Sequence, residues 1–138
     1  MISGFSGKYR FLSNFYPIEI IKDDIVYPSA EHAYQAAKTD IMSSKQWIAS
    51  SKSPGESKRR GRTLMIVNNW DDIKVNSMLE ILFLKFNDPY LKQLLLSTGD
   101  EHIQEYNTWG DRFWGVCNGE GLNFLGVLLM FVRANLRH

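Results

Sequence analysis

Tyr27-Pro-Ser-Ala-Glu-His-Ala-Tyr-Gln-Ala-Ala-Lys38 decides the fold class, because this stretch passes from strand character to helix character. Upstream of it, Phe11 to Ile21 is aromatic and β-branched, broken by Pro17, and Asp23-Asp24 makes a turn before Ile25-Val-Tyr27. That arrangement predicts a short antiparallel pair. Pro28-Ser29 then opens a helix that runs to about Lys38. Ser29 serves as its N-cap, and His32 stands where a capping box prefers Glu or Gln. Glu31, Tyr34, Gln35 and Lys38 recur at i, i+3, i+4 and i+7, so they share one helix face. Ala33, Ala36 and Ala37, on the other positions, are small enough to let the helix pack closely.

Downstream the pattern stays helical. A second helix is expected over Ser43 to Ser51, with Trp47 and Ile48 facing inward. Ser53 caps a short basic helix that has Pro54 in its first turn. Asp71 or Asp72 caps the clearest helix, whose apolar positions Val75, Met78, Leu79, Leu82, Phe83 and Phe86 keep a 3.6-residue period. Asn87-Asp88-Pro89 ends that helix and starts another, Tyr90 to Leu96, which Ser97-Thr98-Gly99 stops. His102 to Tyr106 alternates weakly as a strand, and Leu122 to Leu136 closes the chain as an amphipathic helix. Helices dominate and a small antiparallel sheet lies near the N-terminus, so the class is α+β. No linker or repeat divides residues 1–138, which read as a single domain.

Composition narrows the function. Hydrophobic residues are 44% and charged residues 22%, a globular balance rather than a disordered one. A net charge of +1 supplies no global field for capturing nucleic acid, although local basic patches remain open. Cys117 is the only cysteine, which excludes an internal disulfide and fits a reducing compartment. The N-terminal residues lack a secretory apolar region and the longest apolar run, Phe124 to Val132, is too short to span a bilayer. The expected address is the cytoplasm, with no membrane partner. His32, His102 and His138 lack metal-ligand spacing, so neither a metal nor a cofactor is expected. GxGxxG and GKS/T are absent, which argues against a Rossmann or P-loop nucleotide site.

The residues that do point to chemistry crowd into Asn107-Thr-Trp-Gly-Asp-Arg-Phe-Trp-Gly-Val116 and Gly119-Glu-Gly-Leu-Asn-Phe-Leu-Gly126. Tryptophan walls, a carboxylate and glycines that let backbone approach a ligand suit a small-molecule site better than a packed core. The Glu31–Lys38 face has two readings, a solvated ion-pair face or a site at a strand–helix junction. Lys58-Arg59-Arg60-Gly61-Arg62 is either a solvated basic face or a phosphate clamp. Arg62 stands out in it because Gly61 frees the adjoining backbone. Cys117 has no neighbouring base and reads as a packing residue.

Five blocks now stand in order: Phe11-Leu-Ser-Asn-Phe-Tyr-Pro17, Tyr27 to Lys38, Trp70 with Met78 and Lys85-Phe86, Asp111-Arg-Phe-Trp-Gly115, and Gly119 to Arg133. Together they resemble the YbiA-like NADAR family (NAD- and ADP-ribose-associated) across nearly the whole chain. The resemblance implies a small α+β N-glycosidase. Some members cleave the base–ribose bond of early, phosphorylated riboflavin-pathway intermediates, and others remove ADP-ribose from guanine in DNA. It implies that Glu31, Lys38, Asp111 and Trp114 are site residues, together with Trp70 and with Tyr34 of the helical block. It also implies that Asn14 touches the sugar or phosphate and that Glu105 is an acid preceding the Asp-Trp-Gly element. Asn123 and Arg133 match its last block, as a helix cap and as the partner of a buried acid. The extra aromatic Trp109 is a departure that bears on base recognition, and Arg62 and Arg10 are the phosphate candidates.

The residue types suit that reaction. Breaking a ribosyl C–N bond builds positive charge on C1 and the ring oxygen, which a buried carboxylate stabilises. Glu31 and Asp111 are the two carboxylates, with the division of roles open. Lys38 offers a second route, attack on C1 by a desolvated amine through a Schiff base. Three function classes follow. The favoured one is an N-glycosidase acting on a small phosphoribosyl metabolite. The alternatives are an ADP-ribosyl hydrolase acting on modified nucleic acid and a non-catalytic NAD or ADP-ribose binding module.

Overall fold

Asp23 and Asp24 both hold left-handed backbone, at φ +54° and +60°. Two consecutive residues of that conformation make the two-residue turn that matches strand twist. The turn joins β2 (Pro17–Lys22) to β3 (Ile25–Ser29), antiparallel, with Lys22 opposite Ile25 and Ile20 opposite Tyr27. The hairpin is the predicted one, but it starts later than Phe11. Gly7–Leu12 is instead a 3-10 helix that buries Phe11 and Leu12, and Pro17 begins β2 at a register irregularity rather than breaking a strand. A first position suits proline, which has no N–H to give a ladder.

The computed structural model describes residues 1–137, so His138 lies outside the described residues. The chain forms two compact units. One is the continuous stretch Asn14–Lys85, and the other combines Met1–Ser13 with the residues from Phe86 onward.

In the Asn14–Lys85 unit, α1 (Ala30–Ala37) is the hub. It packs against the hairpin, α2 (Met42–Ala49), α3 (Pro54–Gly61) and α4 (Trp70–Lys85). Ala30, Ala33 and Ala36 are buried, so small side chains admit neighbouring elements on several sides. Both ends of this helix are sealed. The His32 backbone N–H donates to Ser29 Oγ at 3.2 Å, and Ser29 Oγ lies 2.7 Å from His32 Nδ1. His32 Nε2 faces the Ser51 carbonyl at 3.0 Å and must donate there. Burial lowers its pKa, which favours the neutral ring in which Nδ1 accepts the Ser29 hydroxyl. At the other end Lys45 Nζ donates to the Ala36 carbonyl at 3.2 Å, a cation at the negative end of the helix.

Three expectations fail here. Trp47 is 43% exposed instead of inward, with the Arg60 guanidinium stacked 4.8 Å from its ring centre; Ile48 is the α2 residue that reaches the core. α4 begins at Trp70, which leaves Asp71 and Asp72 in its first turn, where their charge complements the helix dipole without being the cap. Its buried face is Met78, Ile81, Leu82 and Lys85, whereas Val75, Leu79 and Phe83 are half-buried. The predicted stripe was rotated because Lys85, counted as polar, lies on the core side.

Lys85 is fully buried, its Nζ 5.9 Å from the centre of the Tyr16 ring. Burial lowers its pKa from 10.5 to about 7. The unfolded chain therefore binds more protons than the folded one between about pH 7 and 10.5, and stability rises with pH across that window. Thermal unfolding followed by circular dichroism should show Tm climbing from pH 7 to 10, and Lys85→Met should flatten that climb. Equal pH slopes in the two proteins would contradict a lowered Lys85 pKa in the folded chain.

In the other unit β1 (Ile2–Ser3) runs parallel to β4 (Ile103–Gln104), a pairing not foreseen beside the expected strand at 102–106. α5 (Pro89–Ser97) starts on an Asp88 cap whose side chain accepts from Leu91 N–H, and it packs on the 3-10 helix and on α6 (Phe124–Leu136). Leu91, Leu95, Ile103, Leu125, Leu129 and Val132 supply its core. Asn123 occupies the N-cap position of α6 in left-handed backbone (φ +54°), but its side chain makes no cap. It clamps β4 instead, accepting from Glu105 N–H at 2.9 Å and donating to the Ile103 carbonyl at 3.0 Å. Arg133 donates to the Thr98 hydroxyl at 2.9 Å rather than pairing with a buried acid.

Candidate active site

Glu31 sits in the first turn of α1 because Ser29 ends β3 and caps the helix. Its own N–H donates to the Asn14 carbonyl at 3.0 Å, which satisfies one of the helix's unpaired donors and ties the start of the unit to α1. Glu31 is 8% exposed, too little for a solvated ion-pair face. Gln35 Nε2 donates to Glu31 Oε2 at 3.3 Å. Three residues further along, Lys38 is half-buried with its Nζ 5.7 Å from the centre of the Tyr34 ring. Burial lowers the Lys38 pKa; the Glu31 charge opposes that, while Lys58 and Arg62 reinforce it. Tyr34 in turn packs at a tilt on Trp70, the ring centres 5.4 Å apart. The face thus assembles a buried carboxylate, a partly desolvated amine and an aromatic wall.

The basic run of α3 divides in two. Arg60 is structural: it pairs with Glu56 at 2.6 Å and donates to the Trp47 carbonyl and the Ser50 hydroxyl. Lys58 and Arg62 are the members whose charge reaches Lys38. Gly61 does not loosen the backbone beside Arg62 as expected. It closes α3 in helical conformation, and its missing side chain makes room for Gln35.

In the other unit the loop after β4 is built around Asn107, which is 1% exposed. Its amide donates to Glu105 Oε2 at 3.1 Å and to the Asp111 carbonyl at 2.8 Å, and it accepts from Asp111 N–H at 3.0 Å. Asp111 Oδ1 accepts the Phe113 and Trp114 backbone N–H groups at 3.1 and 2.9 Å. Gly115 is in contact with Glu105 and Asn107 on the side where a Cβ would point. Trp114 is half-buried and meets Phe113 edge-on at 4.8 Å, whereas Trp109 is 65% exposed.

The NADAR domain family profile matches residues 4–137. The chain belongs to the NADAR domain family. This NADAR chain is 37% identical over 134 residues to a riboflavin biosynthesis protein of Vibrio vulnificus, a match that covers 94% of this chain and 36% of that one. It is 37% identical over 139 residues to an N-glycosidase of Nostoc punctiforme, across 94% of this chain and 87% of the other. The NMR structure of the Escherichia coli protein YbiA superposes with a TM-score of 0.87 at 33% identity, over 99% of this chain and 84% of that one. The chain thus spans about a third of the Vibrio protein but most of the other two.

The candidates of the NADAR chain fall into two groups. Glu31, Lys38, Tyr34, Trp70, Arg62 and Asn14 belong to the Asn14–Lys85 unit; Asp111, Glu105, Trp114, Trp109 and Arg10 belong to the other. Arg62 and Arg10, paired as phosphate candidates, are both exposed but lie in different units. Asn14 turns its Nδ2 to Met78 Sδ at 3.5 Å and keeps a buried Oδ1 without a hydrogen-bond partner among the described residues. Gln35, placed on the Glu31 face by its spacing, and Asn107, inside the tryptophan–glycine stretch, carry no role of their own in the sequence; the available signal was a nearby acid, Glu31 four residues before Gln35 and Glu105 two before Asn107. Among the described residues no group of three His, Cys, Asp or Glu could hold a metal ion, and no helix is long and apolar enough to cross a membrane.

Proposed function

We propose that this NADAR chain is an N-glycosidase that hydrolyses the base–ribose C–N bond of a phosphoribosyl metabolite, such as an early riboflavin-biosynthesis intermediate. The observation that carries the reading is the burial of Glu31 on the same helix face as the desolvated Lys38, beside the Tyr34–Trp70 wall. As the C–N bond lengthens, its electron pair leaves with the base and positive charge grows on the anomeric carbon and ring oxygen. A carboxylate held out of water opposes that charge more strongly than bulk solvent can. Water then bonds to C1, and its proton ends on the departing base. The ring of Trp70 supplies a flat surface for a base. The exposed Arg62 and the half-buried Lys58 suit a phosphate, since their donors are not consumed as those of Arg60 are. Relatives named N-glycosidase and riboflavin biosynthesis protein support the same direction.

Two features keep other readings in play. Lys52, Arg59 and Arg62 are exposed on and around α3, which favours nucleic acid as the carrier of an ADP-ribosyl group as the second reading. The lowered Lys38 pKa suits a nucleophilic amine, which makes amine attack the second route beside water. The deciding assay incubates the protein with ribosylamino-pyrimidine phosphates and, separately, with guanine-ADP-ribosylated DNA. Mass spectrometry then reads released base or ADP-ribose. Base release from the small molecules alone is expected, with no protein–sugar adduct trapped by borohydride. Release from DNA alone would transfer the activity to nucleic acid. A trapped adduct that disappears in Lys38→Ala would replace water attack by the lysine route.

A further inference from the structure

Gln35 lies one turn beyond Glu31 on α1 and is 3% exposed. Its two amide ends meet opposite circumstances. Nε2 donates to Glu31 Oε2, while Oε1 is buried with no hydrogen-bond partner among the described residues. The orphaned oxygen rests against α3 at Gly61. A Cβ built there would stand 2.0 Å from Gln35 Oε1, 2.8 Å from Cδ and 3.3 Å from Cβ. No side chain fits that position while Gln35 stays where it is. Turning the amide over would set its oxygen against the Glu31 carboxylate, acceptor against acceptor. An apolar side chain of similar shape would fill the same space without burying an unpaired carbonyl, so packing alone does not account for an amide here.

We propose that Gln35 is a positioning residue for Glu31, and that Gly61 is the gap which admits it. The inference rests on the catalytic reading of Glu31 given above. One N–H on Oε2 fixes the rotation of the carboxylate plane, so the charge is presented to the anomeric carbon in one orientation. The donor is neutral, unlike Lys38, whose charge is coupled to that of Glu31. It therefore orients the carboxylate without cancelling the negative charge that the oxocarbenium-like transition state requires.

The test measures kcat, KM and Tm for Gln35→Met, Gln35→Ala, Gly61→Ala and the Gln35→Ala/Gly61→Ala pair, using the base-release assay with Glu31→Gln alongside. Gln35→Met should lower kcat about ten- to a hundredfold, with KM within about twofold, because orientation is lost and binding is not. Its Tm should not fall, since the orphaned carbonyl goes with the amide. Gly61→Ala should lower kcat in the wild-type background and by less than about twofold more once Gln35 is Ala, as expected of two residues sharing one contact. A Gln35→Met protein that keeps its kcat, or loses kcat and Tm together, overturns the proposal, as do additive effects of the pair. Turnover surviving in Glu31→Gln would instead remove the catalytic role of Glu31 itself, a result distinct from the others.

Discussion

Glu31→Gln is expected to lower kcat about 10²- to 10³-fold, with KM and Tm close to those of the wild-type protein. The amide has the shape of the carboxylate, so Ser29, Asn14 and the α1 backbone keep their bonds. What disappears is a negative charge held out of water, and that charge is worth most when the sugar carries positive charge in the transition state. Folding does not suffer, because taking an ionised group out of a buried position removes a desolvation cost along with an attraction. A second readout accompanies the first. Glu31 is the charge that partly restores the Lys38 pKa, against burial, Lys58 and Arg62. With Glu31 neutralised, the Lys38 amine should titrate at lower pH and react faster with an amine-directed reagent near neutrality. Near-normal kcat in this variant would take the catalytic role away from Glu31 and leave the chemistry to other groups of the chain.

Gly115→Ala carries the largest expected effect on stability. A Cβ at this position would lie 1.6 Å from Glu105 Oε2, 2.3 Å from the Glu105 carbonyl oxygen and 2.7 Å from Asn107 Nδ2. The side-chain clash alone could relax, but the carbonyl is backbone, and Glu105 O also accepts Val116 N–H at 2.8 Å. The loop must therefore shift as a whole. Overpacking of this kind costs on the order of 3 kcal/mol, or roughly 10 °C in Tm for a chain of this size. Scanning calorimetry of wild type and Gly115→Ala would measure it. A drop below about 2 °C would mean that the Glu105–Asn107 loop yields without tension.

The parts of the fold legible in the sequence were those governed by local rules. Ser29, Ser53 and Asp88 were readable as helix starts because capping needs only a side chain and a backbone a few residues away. The Asp23-Asp24 turn was readable for the same reason. β1 was not, because its partner is on the far side of the sequence and two residues carry no periodicity. Among candidate site residues, the chain's local pattern placed Glu31, Tyr34, Gln35 and Lys38 on one face, and α1 does present Glu31 and Lys38 within reach of one another's charge. That Glu31 is buried rather than solvated depended on the other elements packed around α1, which no helical period reveals. Gln35, Asn107 and Asn123 were underrated for one shared reason. An amide announces no chemistry in a sequence, and its importance lies in which backbone or carboxylate it reaches. Trp47 shows the converse, an aromatic read as core that proved to be a platform for Arg60.

The parallel pairing of Ile2 with Ile103 sets an order of events during synthesis. Residues 14–85 come from one uninterrupted stretch and can complete their own contacts as soon as that stretch has left the ribosome. The other unit cannot, since Ser3 and Gln104 are separated by 101 positions. Closing so long a loop is entropically costly on its own, and the cost is recovered only when β4, α5 and α6 are available together. Residues 1–13 are thus among the last of the described residues to find their places. Until then Ile2, Phe11 and Leu12, all buried in the finished protein, stay exposed on the nascent chain.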